Sequence, residues 1–318
     1  MAKTRVESVE ASRKKNNWQT NWVDIKRSWQ LYIIILLPIA YLVIFAYVPM
    51  YGILLAFKRF SISRGVFNSP WVGLYYFKQF FNSTSSRTII GNTLYINIIS
   101  LLFGFPIPII LAIALNEIRS IFFKKTVQMV TYAPYFISTV VMVGILFQVL
   151  DPNRGLVNTI ITSLGFQSIN FMEKASWFVP VYVISGIWQG AGYSAIIYIS
   201  ALSGVDKQLQ EAAIIDGANR LRRIWHIDLP AILPTVVIML IFAISSMMNI
   251  GFEKIFLMQN SINASASEVI STFVYKVGLV NADYSFSTAV GLFNSVVNVL
   301  LLLFANIAAK RLTGTGVI

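Results

Sequence analysis

The sequence has no cysteine and a single histidine, His226. Disulfides, thiol chemistry and Cys- or His-rich metal centres are thereby excluded. Charge is scarce too. Charged residues make up 12% of the 318 residues and hydrophobic ones 56%, with a mean hydropathy of +0.69. A soluble domain usually carries about a quarter charged residues. Acidic residues number 13 against 25 basic ones, a net charge of +12. No G-x-x-x-x-G-K-[ST] run occurs, so the chain has no P-loop with which to hold a nucleotide. The segment Met1–Gln30 lacks an apolar core followed by a small-residue cleavage site, so no cleaved signal peptide is expected.

What is present is a series of long charge-free tracts. A charged side chain at the bilayer centre costs roughly 2.5–3.5 kcal/mol, so gaps between charges mark spans. Six gaps each hold the roughly 20 apolar residues that cross a hydrocarbon core. They predict spans over Leu31–Leu55, Gly91–Leu115, Val127–Leu150, Trp177–Leu202, Leu229–Ile250 and Ser287–Ala309. The expected class is an all-α, multi-pass integral membrane protein of the cell membrane, in contact with lipid. A basic tail occupies residues 1–30 and one transmembrane domain residues 31–318. There is no internal repeat and no separate soluble domain. The net positive charge is read as membrane-edge lysine and arginine, not as a nucleic-acid surface.

With the N-terminus inside, the cytoplasmic segments hold sixteen of the 25 Lys and Arg residues, the bias expected when both termini are cytoplasmic. Lys58 and Arg59, on the outer side, run against it. The outer loop rich in Trp71, Tyr75, Tyr76, Phe77, Phe80 and Phe81 suits a helix lying in the membrane interface. Helix breakers recur inside the spans: Pro106 and Pro108, Pro134, Gly186, Gly190 and Gly192, Pro230 and Pro234. They are tolerated in a bilayer only where the freed backbone groups find partners.

The loop between the fourth and fifth spans, Asp206 to Pro234, is too polar to cross. Asp206 is placed to cap a short helix that reaches Ile215. Asp216-Gly217 ends it, and a second short helix near Asn219–His226 leads to Asp228-Leu229-Pro230 and back into the membrane. Small Ala212, Ala213 and Gly217 let another protein surface approach closely, a shape suited to docking in a groove.

Glu211-Ala212-Ala213, then Gly217-Ala218 after three residues, then Ile227-Asp228-Leu229-Pro230 nine residues beyond the glycine, together resemble the EAA motif of binding-protein-dependent ABC importer permeases. Trp71-Val72-Gly73-Leu74, Asn92-Thr93-Leu94 and Asp151-Pro152-Asn153-Arg154-Gly155-Leu156-Val157-Asn158 are similar to the corresponding loops of the carbohydrate-uptake branch, of maltose and alginate type. The resemblance covers nearly all of the chain after Trp29. It implies a type I importer permease fold whose coupling loop, 206–230, seats Glu211, Ala212, Ala213, Asp216, Gly217 and Ala218 in an ATPase subunit. The implied partners are a second homologous permease, two ATP-binding cassette subunits and an extracellular solute-binding protein. ATP and Mg would be bound by the cassette subunits and no cofactor or metal by this chain. The chain would be a transport subunit with no catalytic residue.

A solute path needs polar groups facing the bundle interior. Trp188, Gln189 and Tyr193, Ser245, Ser246 and Asn249, and Asn294 and Asn298 are of the types that hold sugars by hydroxyl–amide bonds and ring stacking. Glu253 is placed to meet the binding protein. An ABC permease for a peptide or amino acid, and an ATP-independent secondary transporter, are the competing readings. Against the second stands the lack of a charged network within the spans.

Overall fold

The computed structural model describes residues 28–313. Most of the expected basic tail lies outside them. Two compact units meet in sequence between Leu54 and Leu55. The described residues are helical, with no strand and one isolated antiparallel bridge, Lys58 to Trp71.

At the start of the described residues the helix Trp29–Leu42 runs into a π turn, Val43–Tyr47, and a 3-10 stretch, Val48–Phe57, whose last three residues belong to the second unit. Together they form an uninterrupted apolar rod of 29 residues. Pro38 and Pro49 lie inside it, and proline removes backbone donors, which favours departures from α geometry.

In the second unit the second expected span is the pair Thr84–Gly104 and Pro106–Glu117, broken at Phe105, where Pro106 opens the new helix without an N–H to lose. The fifth starts earlier than expected. Its helix continues from Arg220 through the π turn Ile224–Asp228 and ends at Ser245, short of Ile250. The last runs Tyr284–Thr313.

The third expected span, Val127–Leu150, is not one helix. Ile121–Phe136 and Thr139–Val149 meet at an angle of 102°. Pro134 tightens the chain to a 3-10 turn, Ile137 is extended, and the Ser138 hydroxyl caps the next helix by accepting from the Val141 N–H at 3.4 Å. The fourth is the 29-residue helix Ala175–Ser203. Among the described residues four helices are both long and apolar enough to span a membrane, five if the bent pair counts as one. Ala175–Ser203 has the length, but its glycines, serines and Gln189 dilute its apolarity.

That helix is the centre of the unit. Along one side Phe178, Val179 and Val183 pack with Ile96, Ile255, Met258 and Val269. Toward its end Ala195, Tyr198 and Leu202 pack with Ala112 and Ile232. Small residues at these crossings let backbones approach. The closest approach is at Gly192, where a Cβ would stand 2.0 Å from the Thr131 carbonyl oxygen. Gln189 Nε2 donates to the Ile137 carbonyl at 2.9 Å, satisfying an acceptor freed by the bend.

The aromatic loop is more deeply packed than an interfacial helix would be. Its helix, Tyr75–Asn82, buries Tyr76 and Phe80. Phe80 meets Phe273, Phe286 and Phe293 with ring centroids 5.9–6.3 Å apart. Trp71 and Tyr75 stay exposed. The two cations that broke the charge bias are also engaged. Lys58 Nζ donates to the Val66 and Phe67 carbonyls at 3.1 and 2.8 Å, and the Arg59 guanidinium lies 5.8 Å from the Tyr75 ring centre.

The Asp151–Asn158 segment is a self-contained turn. Asp151 Oδ1 accepts from the N–H groups of Asn153 and Arg154 at 2.9 and 2.7 Å. These bonds, Arg154 first, hold its exposed carboxyl below the usual carboxylate range. Gly155 has no room for a Cβ, with Asp151 backbone atoms 2.5 Å away. Buried Asn158 donates to the carbonyls of Leu150, Asp151 and Ile169 and accepts from the Ile169 N–H at 2.8 Å. Asn158→Ala removes a partner from all four groups, of which the Asp151 carbonyl keeps the Gly155 N–H at 3.0 Å, and is expected to lower stability by about 2–3 kcal/mol, seen as a lower melting temperature in detergent and faster proteolysis between residues 150 and 170.

Candidate functional site

Asp206 Oδ1 accepts from the Gln208 N–H at 2.9 Å and starts the helix Lys207–Ile215. The helix ends in a Schellman motif. The Gly217 N–H bonds the Ile214 carbonyl at 3.0 Å, the Ala218 N–H bonds the Ala213 carbonyl at 2.9 Å, and Gly217 has φ +79°. Asn219 Oδ1 then caps Arg220–Arg223 through the Arg222 N–H. The sequence therefore builds a helix, a glycine stop and a re-entry from local signals alone.

No residue of Lys207–Ile215 is buried. Glu211, Ala212, Asp216 and Gly217 are exposed, while Ala213 and Ala218 are half-buried. Ile215 is 85% exposed, and Leu209, Ile214, Leu221 and Trp225 are exposed with it. The result is an apolar, small-residue surface with acidic Glu211 and Asp216 beside it.

The helix is tied to the bundle on its other side by Asp228 of the motif together with Gln210, Arg223 and Glu117, which no motif marks. Gln210 Nε2 donates to Asp228 Oδ1 at 2.8 Å, and Arg223 Nη1 donates to Gln210 Oε1 at 3.1 Å. Arg223 Nη2 stands 3.8 Å from Glu117 Oε2 at the end of Pro106–Glu117. Asp228 is 1% exposed. Gln210 thus joins the exposed helix to the start of the helix that re-enters the bundle. The signal available in the sequence was Asp228 itself, an acid at the mouth of a span.

The path residues fall into four places. Gln189 lines a cavity of about 330 Å³ with Gly186, Gly190, Ser100 and Lys254. Ser246 and Asn249 line a second cavity of about 300 Å³ with Asn97 and again Ser100. Both cavities are of small-ligand size, and Ser100 is their common wall. Asn294 Nδ2 donates to Asn249 Oδ1 at 3.1 Å, and Asn298 accepts from the Met248 N–H at 3.0 Å. The Ser245 and Ser246 hydroxyls both turn back to the Phe242 carbonyl at 2.8 Å. Tyr193 stacks on Tyr135 with centroids 3.8 Å apart. Trp188 stands apart, lining an apolar cavity of about 430 Å³ with Met142, Trp177 and Pro180. Glu253 is exposed in the first turn of Phe252–Met258.

Lys254, one residue on, was not singled out in the sequence. It is 9% exposed. Its Nζ donates to the Tyr182 carbonyl at 3.0 Å and lies 4.7 Å from the Tyr182 ring centre.

Residues 104–314 match the family model "Binding-protein-dependent transport system inner membrane component". Protein LplB of Bacillus subtilis is 43% identical over 292 residues, 92% of each chain. The polygalacturonan/rhamnogalacturonan transport system permease protein YteP of the same organism is 42% identical, covering 90% of this chain and 89% of its own. Among solved structures, the crystal structure of a bacterial alginate ABC transporter in complex with alginate pentasaccharide-bound periplasmic protein contains a chain that superposes with a TM-score of 0.86 at 39% identity. The match covers 93% of this chain and 99% of that one.

Proposed function

The chain belongs to the binding-protein-dependent transport system inner membrane components, and from that premise we propose that it is the sugar- or oligosaccharide-translocating permease subunit of an ATP-driven importer of the cell membrane. Six crossings are proposed: the four long apolar helices, the bent pair and Ala175–Ser203. At 1.5 Å per residue the last is about 44 Å long, ample for a hydrocarbon core of about 30 Å. An even number puts both termini on one face, the cytoplasmic one by the charge bias.

The observation that carries the reading is the exposed Lys207–Ala218 surface, built as a helix with a glycine stop and tied through Gln210 to the base of a spanning helix. Glu211, Ala212, Asp216 and Gly217 would meet an ATP-binding cassette subunit there, with Ala213 and Ala218 seated behind them. Movement of that subunit on ATP binding would be passed through Gln210–Asp228 into Arg220–Ser245 and through Arg223–Glu117 into Pro106–Glu117. Those helices border the cavities that hold Gln189, Ser246 and Asn249. A sister permease would complete the path and an extracellular binding protein would deliver the sugar. The carbohydrate names of the relatives support a sugar over a peptide or amino acid.

The test is reconstitution in proteoliposomes with the neighbouring permease, ATPase and binding protein. Sugar uptake that requires both ATP and the binding protein is the expected result. Uptake by this chain without an ATPase would overturn it.

A further inference from the structure

Lys254 presents an unusual balance of forces. Burying an ammonium is costly unless it is paired. Among the described residues two ion pairs form, Arg223–Glu117 and Lys276–Glu268, and Lys254 is in neither. It has three N–H donors, of which the structure gives one to the Tyr182 carbonyl. The Tyr182 ring offers a π face to the same nitrogen. A donor is left for the cavity that Lys254 lines.

The cavity is shaped around that nitrogen. A Cβ at Gly186 would sit 3.4 Å from Lys254 Nζ, so glycine at this position keeps the ammonium uncovered. Gly190, one turn along, keeps the same wall low. Ser100 on the facing wall has a buried hydroxyl with no partner in the structure. Gln189 contributes to the lining but its amide is engaged with Ile137. An uncommitted ammonium donor thus lines a space of about 330 Å³ whose wall also holds the buried, unpartnered Ser100 hydroxyl. Gly186 is sixteen residues from Leu202, about 24 Å along the helix from the coupling end, so this space lies deep in the bundle.

A neutral sugar gains little from a buried cation, because hydroxyls are held as well by amides and rings at no charge-desolvation cost. A carboxylate gains a charge-assisted bond of roughly twice the neutral strength. We propose that Lys254, with Ser100, forms a subsite for the carboxylate of an acidic sugar, so that the solute carried is an oligosaccharide containing uronic acid. This rests on the sugar-permease reading and names its substrate class.

The test uses the reconstituted importer with trigalacturonate as the charged probe and its fully methyl-esterified form and maltotriose as neutral ones. Lys254→Met is expected to lower trigalacturonate uptake at least about tenfold, the effect of about 1.4 kcal/mol, and Lys254→Arg to keep it within about threefold. Uptake of whichever neutral probe the wild type accepts should change less than about twofold. Because the methionine fills the site without a buried charge, its complex should assemble and melt no lower than wild type. Undiminished trigalacturonate uptake by Lys254→Met overturns the proposal. So does an equal loss of charged and neutral probes, or failure of that variant to bind the sister permease, which would make Lys254 an interface cation. Wild-type uptake of a neutral probe alone overturns it while leaving the sugar reading intact. Absence of ATP-driven uptake of any sugar removes both.

Discussion

Gly192→Ala is expected to deplete the folded chain from the membrane, while Gly190→Ala leaves folding unchanged. The two glycines are two residues apart on one helix, and their surroundings are opposite. At position 192 a Cβ would lie 2.0 Å from the Thr131 carbonyl oxygen and 2.4 Å from its carbon. Both atoms are backbone, so no side-chain rotation relieves the clash. The helices must part by more than an ångström, and the stacked Tyr135–Tyr193 pair and the Gln189–Ile137 bond nearby would be pulled with them. Overpacking of well-packed sites costs about 1–3 kcal/mol, and a backbone clash belongs at or beyond the top of that range. At position 190 nothing lies within 4 Å of the added atom, and alanine favours the helix by close to 1 kcal/mol. Fluorescence-detected size-exclusion of the two variants checks this. Equal monodisperse peaks would show that the close contact at Gly192 is not structural.

The second large effect is expected at Gly217. Its φ of +79° is a conformation that L residues enter at a cost of roughly 1–2 kcal/mol, with asparagine the mildest case and β-branched residues the worst. No atom lies within 4 Å of a Cβ built there, so the penalty is conformational and not steric crowding. Gly217→Asn should therefore keep the Ala218–Ala213 bond and hold ATP-driven uptake within about twofold. Gly217→Val should release the turn, tilt the exposed helix and lower uptake at least about tenfold, the effect of 1.4 kcal/mol. Insertion of the chain should be the same in both, because no residue of Lys207–Ile215 is buried. Uptake assays alongside quantified membrane levels separate the cases.

These two glycines also show what the sequence could and could not disclose. The helix stop at Gly217 was legible because its signals are local: a capping aspartate, a run of helix formers, and a glycine at the end. The long apolar helices were legible because charge is excluded from them, four of them among the described residues and a fifth as a bent pair. The role of Gly192 was not, since it depends on the carbonyl of Thr131, 61 positions away in the chain, which only tertiary packing brings to it. Pro134 was marked as a breaker, but periodicity carries no angle. Of the path residues, amide and hydroxyl side chains were chosen by type. The fold directs Gln189, Ser246 and Asn249 to partly polar cavities, Trp188 to an apolar one and Tyr193 to a stacking partner. Lys254 escaped notice because a charge at the edge of a span reads as a boundary, and its burial is set by Tyr182, 72 positions away.

The reading of Lys207–Ala218 as the surface that engages an ATPase is tested most directly by cross-linking. The chain has no cysteine, so Ala212→Cys introduces a single thiol on the exposed face without further engineering. In membranes containing the neighbouring ATPase subunit with one cysteine in its permease-facing groove, an oxidant is expected to produce a disulfide-linked pair from Ala212→Cys and none from Ile262→Cys, an exposed position in the segment after Phe252–Met258. A thiol at position 212 that never links to the ATPase, and that instead reacts with a membrane-impermeant maleimide added outside intact cells, would contradict the account.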